Sequence, residues 1–270
     1  MSRPPFFESH HRLQDETLTL LHDLTWDELL AYDAWWLSVG HYLVDGFHKQ
    51  PSTIANPLFE APITGKAALW LATSGYYRQA TALLRDMVDL VLWEWKFRQG
   101  LGVSGLDFTE SKDKGVRNSD IPKIVQGSRV DRYRQFIQRA VQSPERQTRL
   151  LACVDSQAIQ NFRTHLNNAV HGAPGEWNIL HYPEWVPIPQ LSPTRWQEWQ
   201  REYCTVESWC ATWCLFMFPD LMTWSRHTPL ENTEEVEGCR DIWWLPALND
   251  ETMFFFHEVD CQESSGSSGT

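Results

Sequence analysis

The chain has no Cys-x-x-Cys pair among its six cysteines, so neither a dithiol redox centre nor a paired-cysteine zinc site is written into it. Cys204, Cys210 and Cys214 instead fall on one apolar stretch, the last two four residues apart, as expected of free buried thiols in a reducing compartment. His10-His11 are adjacent and His165 and His171 are six apart, which is not ligand spacing, so no metal and no cofactor is expected. Long apolar runs are missing too. The longest, Trp209 to Phe218, is interrupted and well short of the ~20 residues a spanning helix requires. No apolar segment opens the chain after Met1-Ser-Arg-Pro-Pro-Phe-Phe-Glu, and a cytoplasmic protein with no membrane partner is expected. Gly65-Lys66 lacks the upstream glycine of a phosphate loop and is followed by Ala67 rather than a hydroxyl residue. No Gly-x-Ser-x-Gly elbow and no fixed-period repeat occurs. Positive charge is scarce: 23 Lys and Arg against 35 Asp and Glu leave a net charge of −12, which disfavours indiscriminate binding to phosphate backbones.

Tryptophan, by contrast, is abundant. Fifteen occur in 270 residues, many paired, as in Trp35-Trp36, Trp93/Trp95, Trp196/Trp199, Trp209/Trp213 and Trp243-Trp244. Spacing of this kind suits packing in a core or an interface by large rigid side chains, with a base-stacking platform as the other reading. The 42% hydrophobic content is enough for a substantial core. Charge is unevenly spread. Residues 101–150 hold ten Lys and Arg, from Lys112 to Arg149, against six acids, so that the rest of the chain carries −16. This segment is read either as a solvated helix face with a polar loop or as a phosphate-facing edge.

Helical periodicity dominates the pattern, and the expected fold class is all-α, a helical bundle with long loops and a partly irregular C-terminal segment. Residues 1–24 read as an N-terminal arm. Thr25 and Glu28 form a capping box opening a helix toward Lys49, and the prolines at 51, 57 and 62 make 51–64 an irregular connection. Ala67 to Gln99 is strongly helical, broken by a turn at Thr73-Ser74-Gly75; Ala80, Leu83, Leu84, Met87, Val88, Val91, Leu92 and Trp95 mark its second part. Gly100 to Ser128 reads as a long loop. Helices follow over 129–142 and from Pro144 through Val154, then a third capped by Asp155-Ser156, and finally a long one opened by Ser192-Pro193 and ending near Phe218-Pro219. The bundle is thus placed at 25–220. An acidic and aromatic extension over 221–263, read as extended pieces docking on the bundle, and a flexible tail over 264–270 complete the chain.

The most informative stretch runs from Asn161 to Gly172. At about 100° per residue, Arg163, Asn167 and His171 form a row along one helix face, and Phe162, Leu166 and Val170 form the adjacent apolar row. Guanidinium, amide and imidazole therefore stand beside a core-facing stripe. A histidine in a last helical turn is also favoured by the macrodipole alone. Arg85 stands four residues before Asp89, at ion-pair spacing beside an apolar stripe.

Gly75-Tyr76-Tyr77 with Leu83-Leu84-Arg85 and the acids that follow, together with the later Asn167-x-x-x-His171-Gly172, resemble the two signatures of HEPN superfamily proteins over roughly residues 65–220. That resemblance implies a small helical bundle that dimerises and, when active, cleaves RNA without a metal in bacterial defence or toxin systems. It also implies His171, Arg163 and Asn167 as the catalytic set, with Asn168, Arg85 and Asp89 in support or against phosphate. The family pattern places four to six residues between arginine and histidine; Arg163 and His171 enclose seven. The expectation is therefore an RNA-binding protein or metal-independent endoribonuclease, acting as a homodimer. The alternative is a non-catalytic helical adaptor that binds a protein partner through its Trp-rich and acidic surfaces.

Overall fold

The computed structural model describes residues 5–19, 32, 33, 35–37, 39, 40, 42, 43, 57–100, 115–171, 192–218, 221, 255 and 256, with the backbone alone for 5–10, 18 and 169–171. Among the described residues the fold is helical and holds no strand. The helices are α1 (Pro5–Thr19), α2 (the described residues of 32–43), α3 (Pro57–Thr73), α4 (Tyr77–Arg98), α5 (Ile121–Ile124), α6 (Ser128–Ala140), α7 (Pro144–Ala152), α8 (Ser156–His171) and α9 (Pro193–Met217).

Two long helices form the centre. On α4, Ala80, Leu84, Met87, Val88, Val91 and Leu92 are fully buried, as the periodicity requires. On α9 the apolar side chains surround most of the helix: Trp196, Trp199, Val206, Cys210, Trp213, Cys214 and Leu215 are all buried. α3 packs along α4, and α4 in turn contacts α8 and α9. Tryptophan is core material here. Seven of the nine described tryptophans are buried, so base stacking is open to few of them. Trp95 stacks on Phe216 at 5.5 Å, and the Trp213 indole donates to the Cys153 carbonyl at 2.7 Å, tying α9 to the end of α7. Burial pushes the Cys153 thiol up to about 12 and raises Cys210 and Cys214 as well, which keeps these free thiols protonated and unreactive.

Helix boundaries follow local chemistry. The α3–α4 turn is a Schellman motif: Gly75 N donates to Ala72 O at 2.9 Å and Tyr76 N to Leu71 O at 2.8 Å, with Gly75 at φ 81°. Ser143 and Ser192 cap α7 and α9 by accepting from Arg146 N and Arg195 N, each with proline next in sequence.

Three expectations change. The connection read over 51–64 is helix from Pro57, which occupies the first position of α3, where its missing N–H costs no helical bond. Pro62 lies inside that helix, and burial of Leu58, Ala61, Ala68 and Ala72 offsets its lost bond to the residue 58 carbonyl. At Gly65 a Cβ would stand 3.1 Å from Met87 Sδ and 3.2 Å from Glu207 Oε1, so glycine is what lets α3 approach α4 and α9 this closely. Secondly, the N-terminal arm contains α1, which docks on the end of α3 through Thr17 Oγ1 to Thr73 O at 3.0 Å and Gln14 Nε2 to Ser74 Oγ at 3.0 Å. Thirdly, the final part of the loop read over 100–128 is ordered by burial of Val116, Ile121, Ile124 and Val125 around a 3₁₀ turn at Asn118–Asp120 and α5. The Thr25 capping box, the acidic segment at 231–237 and the 264–270 tail lie outside the described residues. In the C-terminal extension Phe255 and Phe256 are helical rather than extended, and they dock against Tyr133 at 5.3 and 6.1 Å. No helix among the described residues is long and apolar enough to cross a membrane.

Candidate functional site

α4 presents Thr81, Arg85 and Asp89 at intervals of four residues, one row along the face that meets α8 and α9. α8 runs antiparallel beside it. Its residue 163 meets Asp89, whereas residue 165, two positions further on, connects through Glu202 of α9 to Thr81, two turns earlier on α4.

Asp89 is the hub of the first half of this row. Arg163 Nε donates to Asp89 Oδ1 at 2.8 Å with Nη2 at 2.7 Å from the same oxygen, while Arg85 Nη2 lies 2.7 Å from Oδ2. Burial raises the Asp89 carboxyl above its ordinary range, and the charges of Arg163 and Arg85 pull it back. Arg163 is itself buried, at 6% exposure, and its remaining donors reach Asn118 Oδ1 at 2.6 Å and Val116 O at 2.8 Å. The guanidinium is thus committed on every side to the protein, and it fastens α8 to α4 and to the 3₁₀ turn. Arg85 is different: its side chain keeps 29% exposure and also bonds Asp86.

Asn167, one turn beyond buried Arg163 on the same row, is half-buried, and Asn168 beside it is exposed. His171 is the last residue of α8; its side chain lies outside the described residues, as does that of Val170. On the apolar row, Leu166 is fully buried and Phe162 meets Trp209 edge to face at 4.9 Å. The structure therefore brings Arg85, Asp89 and Arg163 into one network and places Asn167 and Asn168 further along the same helix.

The second half of the row holds groups that the sequence reading missed. His165 Nε2 lies 2.6 Å from Glu202 Oε1, and Thr81 Oγ1 donates to Glu202 Oε2 at 3.2 Å. The imidazole side chain is 51% exposed and the carboxylate 16%, and the Phe162 ring stacks on the imidazole at 6.4 Å. Glu202 is 37 residues from His165 on another helix, so only the α4–α8–α9 packing joins them. The sequence signal was limited to His165 lying beside Arg163. No group of three His, Cys, Asp or Glu among the described residues is arranged to hold a metal ion.

In the basic segment, Arg134 spans Val125 O and Val154 O at 3.1 and 2.6 Å, and Arg129 donates to Phe216 O at 2.9 Å. These two brace the fold. Arg117, Lys123, Arg132, Arg139 and Arg149 remain exposed along the 3₁₀ turn and α5–α7.

Comparisons with protein families, with curated proteins and with solved structures find no match to this chain.

Proposed function

We propose that this protein binds RNA and cuts it without a metal, as a HEPN-like endoribonuclease of a bacterial defence or toxin system. One observation carries the reading: Arg85 and Asp89 of the first signature helix and Arg163, which precedes Asn167-x-x-x-His171 on the second, close a single ion network, so the two resembling segments act as one unit. Arg163 serves there by holding α8, not by meeting phosphate. Arg85, only part-buried, is the network's cation for a phosphodiester, and exposed arginines of 117–149 together with Lys123 supply a local positive surface in an acidic chain. His171 is the imidazole the resemblance assigns to proton transfer, with Asn167 or Asn168 orienting it.

The reaction this set supports is attack of a ribose 2′-hydroxyl on the adjacent phosphorus. A base takes the hydroxyl proton, the 2′-O–P bond forms, the P–O5′ bond breaks and the leaving oxygen takes a proton. A homodimer in the cytoplasm is the expected working form, consistent with the buried, protonated thiols of Cys153, Cys210 and Cys214. The purified chain should fragment mixed RNA equally well with and without EDTA, and Arg85→Ala should slow this by about tenfold to a hundredfold. RNA left intact by the folded protein would refute the reading.

A second reading, the adaptor, draws on one specific feature. Ile63 and Trp70 stand seven residues apart on α3, so they share a face, and they are 68% and 65% exposed. Under that reading Trp70→Glu abolishes capture of a protein partner; under the first it leaves RNA cleavage at the wild-type rate.

A further inference from the structure

We infer that His165, held by Glu202 and Thr81, is a second proton-transfer residue of this site, the group that gives its proton to the departing 5′-oxygen. The inference rests on the ribonuclease reading and adds to it a residue set that the resemblance does not assign. Three observations converge. The His165 and Glu202 side chains are joined at 2.6 Å across two helices, and the second carboxylate oxygen is taken by buried Thr81 at 3.2 Å, so the carboxylate is fixed at both ends. The imidazole is half-exposed at 51%, open to a polymer that cannot enter a core. Arg85 follows Thr81 by one turn of α4, which sets a part-exposed cation about 6 Å along the row from the residue that anchors the dyad.

The chemistry assigns the roles. When the ring is protonated, Nε2–H donates to Glu202 Oε1, which fixes the plane of the ring and compensates its charge. In the cleavage step the 2′-hydroxyl proton passes to the base, the 2′-O–P bond forms as the P–O5′ bond breaks, and the His165 imidazolium gives its Nδ1 proton to O5′ while Nε2–H stays on Glu202. A 2′,3′-cyclic phosphate and a 5′-hydroxyl result, and the two groups re-exchange protons with water before the next turnover. Glu202 and Thr81 are positioning residues, because they act through the imidazole.

The test compares cleavage of one defined single-stranded RNA by the full-length wild type, His165→Ala, Glu202→Gln and Glu202→Asp across pH, with helix content followed by circular dichroism. His165→Ala should cleave about a hundredfold more slowly at unchanged helix content. Glu202→Gln should lose about tenfold and move the alkaline limb of the rate profile to lower pH, and Glu202→Asp should recover part of both. A folded His165→Ala protein that cleaves like wild type overturns the assignment while the ribonuclease reading stands. Wild-type protein that leaves the RNA intact overturns both.

Discussion

Arg163 is where sequence and structure give the same residue different work. Its place at the head of a guanidinium–amide–imidazole row suggests a catalytic cation, yet its donors end on Asp89, Asn118 and Val116 inside the protein. No periodicity argument reveals this, because the acceptors lie 45 to 74 residues away. Arg163→Met should therefore lower unfolding free energy by about 3 kcal/mol, the range for breaking one side of a buried ion pair, read as a lower urea midpoint at constant slope. Wild-type stability in that variant would mean the guanidinium carries no structural burden. Glu207 is a second buried group with a measurable signature. It accepts from the Trp36 indole at 2.9 Å and also bonds Tyr203, and burial pushes its carboxyl up from 4.5 to about 7. A folded state that holds a proton more tightly than the unfolded one loses stability as pH rises from about 4.5 to about 7, on the order of 3 kcal/mol for this group, with little further change above. Glu94, raised chiefly by burial against the pull of Arg98, and Asp89 act in the same sense. Glu207→Gln can still accept from Trp36 while removing the titration, so the protein should gain stability at pH 8 relative to wild type and change little at pH 4. Equal pH dependence in the two proteins would show that Glu207 titrates alike in the folded and unfolded states and that burial does not raise its carboxyl.

At the level of the helices, most of what positions the site was legible. Gly75 at the α3–α4 turn, Pro144 and Pro193 after their capping serines, and the apolar stripe of α4 all act through interactions within a few residues, which is why local pattern reports them. Pro57 and Pro62 misled the reading of α3, because propensity counts the lost hydrogen bond and not the burial of Leu58 and Ala61 against neighbouring helices. The N-terminus of α8 is equally local: Asp155 Oδ1 accepts from Ala158 N at 2.7 Å. Asp155→Ala should cost about 1 kcal/mol, measured by thermal or urea unfolding, with α8 fraying first in amide exchange. No loss of stability would place the anchoring of α8 wholly in the Arg163 network. The His165–Glu202 pair marks the limit of such reasoning, since its two residues lie on different helices and only the tertiary packing of α8 and α9, with Thr81 of α4 on the other carboxylate oxygen, brings them together.

For the molecule as a whole, the helical class was legible because core burial and periodicity agree along α4, α6 and α8, whereas the activity rests on a resemblance carried by two short segments. Light scattering should return about twice the 31.5 kDa chain mass if the proposed homodimer forms. A monomer across the concentration range would leave the α4–α8–α9 face to act alone. The measurement that bears most directly on the account is end-group analysis of RNA incubated with the purified protein in EDTA. Fragments bearing 2′,3′-cyclic phosphate and 5′-hydroxyl ends are predicted, formed at the wild-type rate in the chelator. Intact RNA, or fragments with 5′-phosphate ends that vanish on chelation, would contradict it.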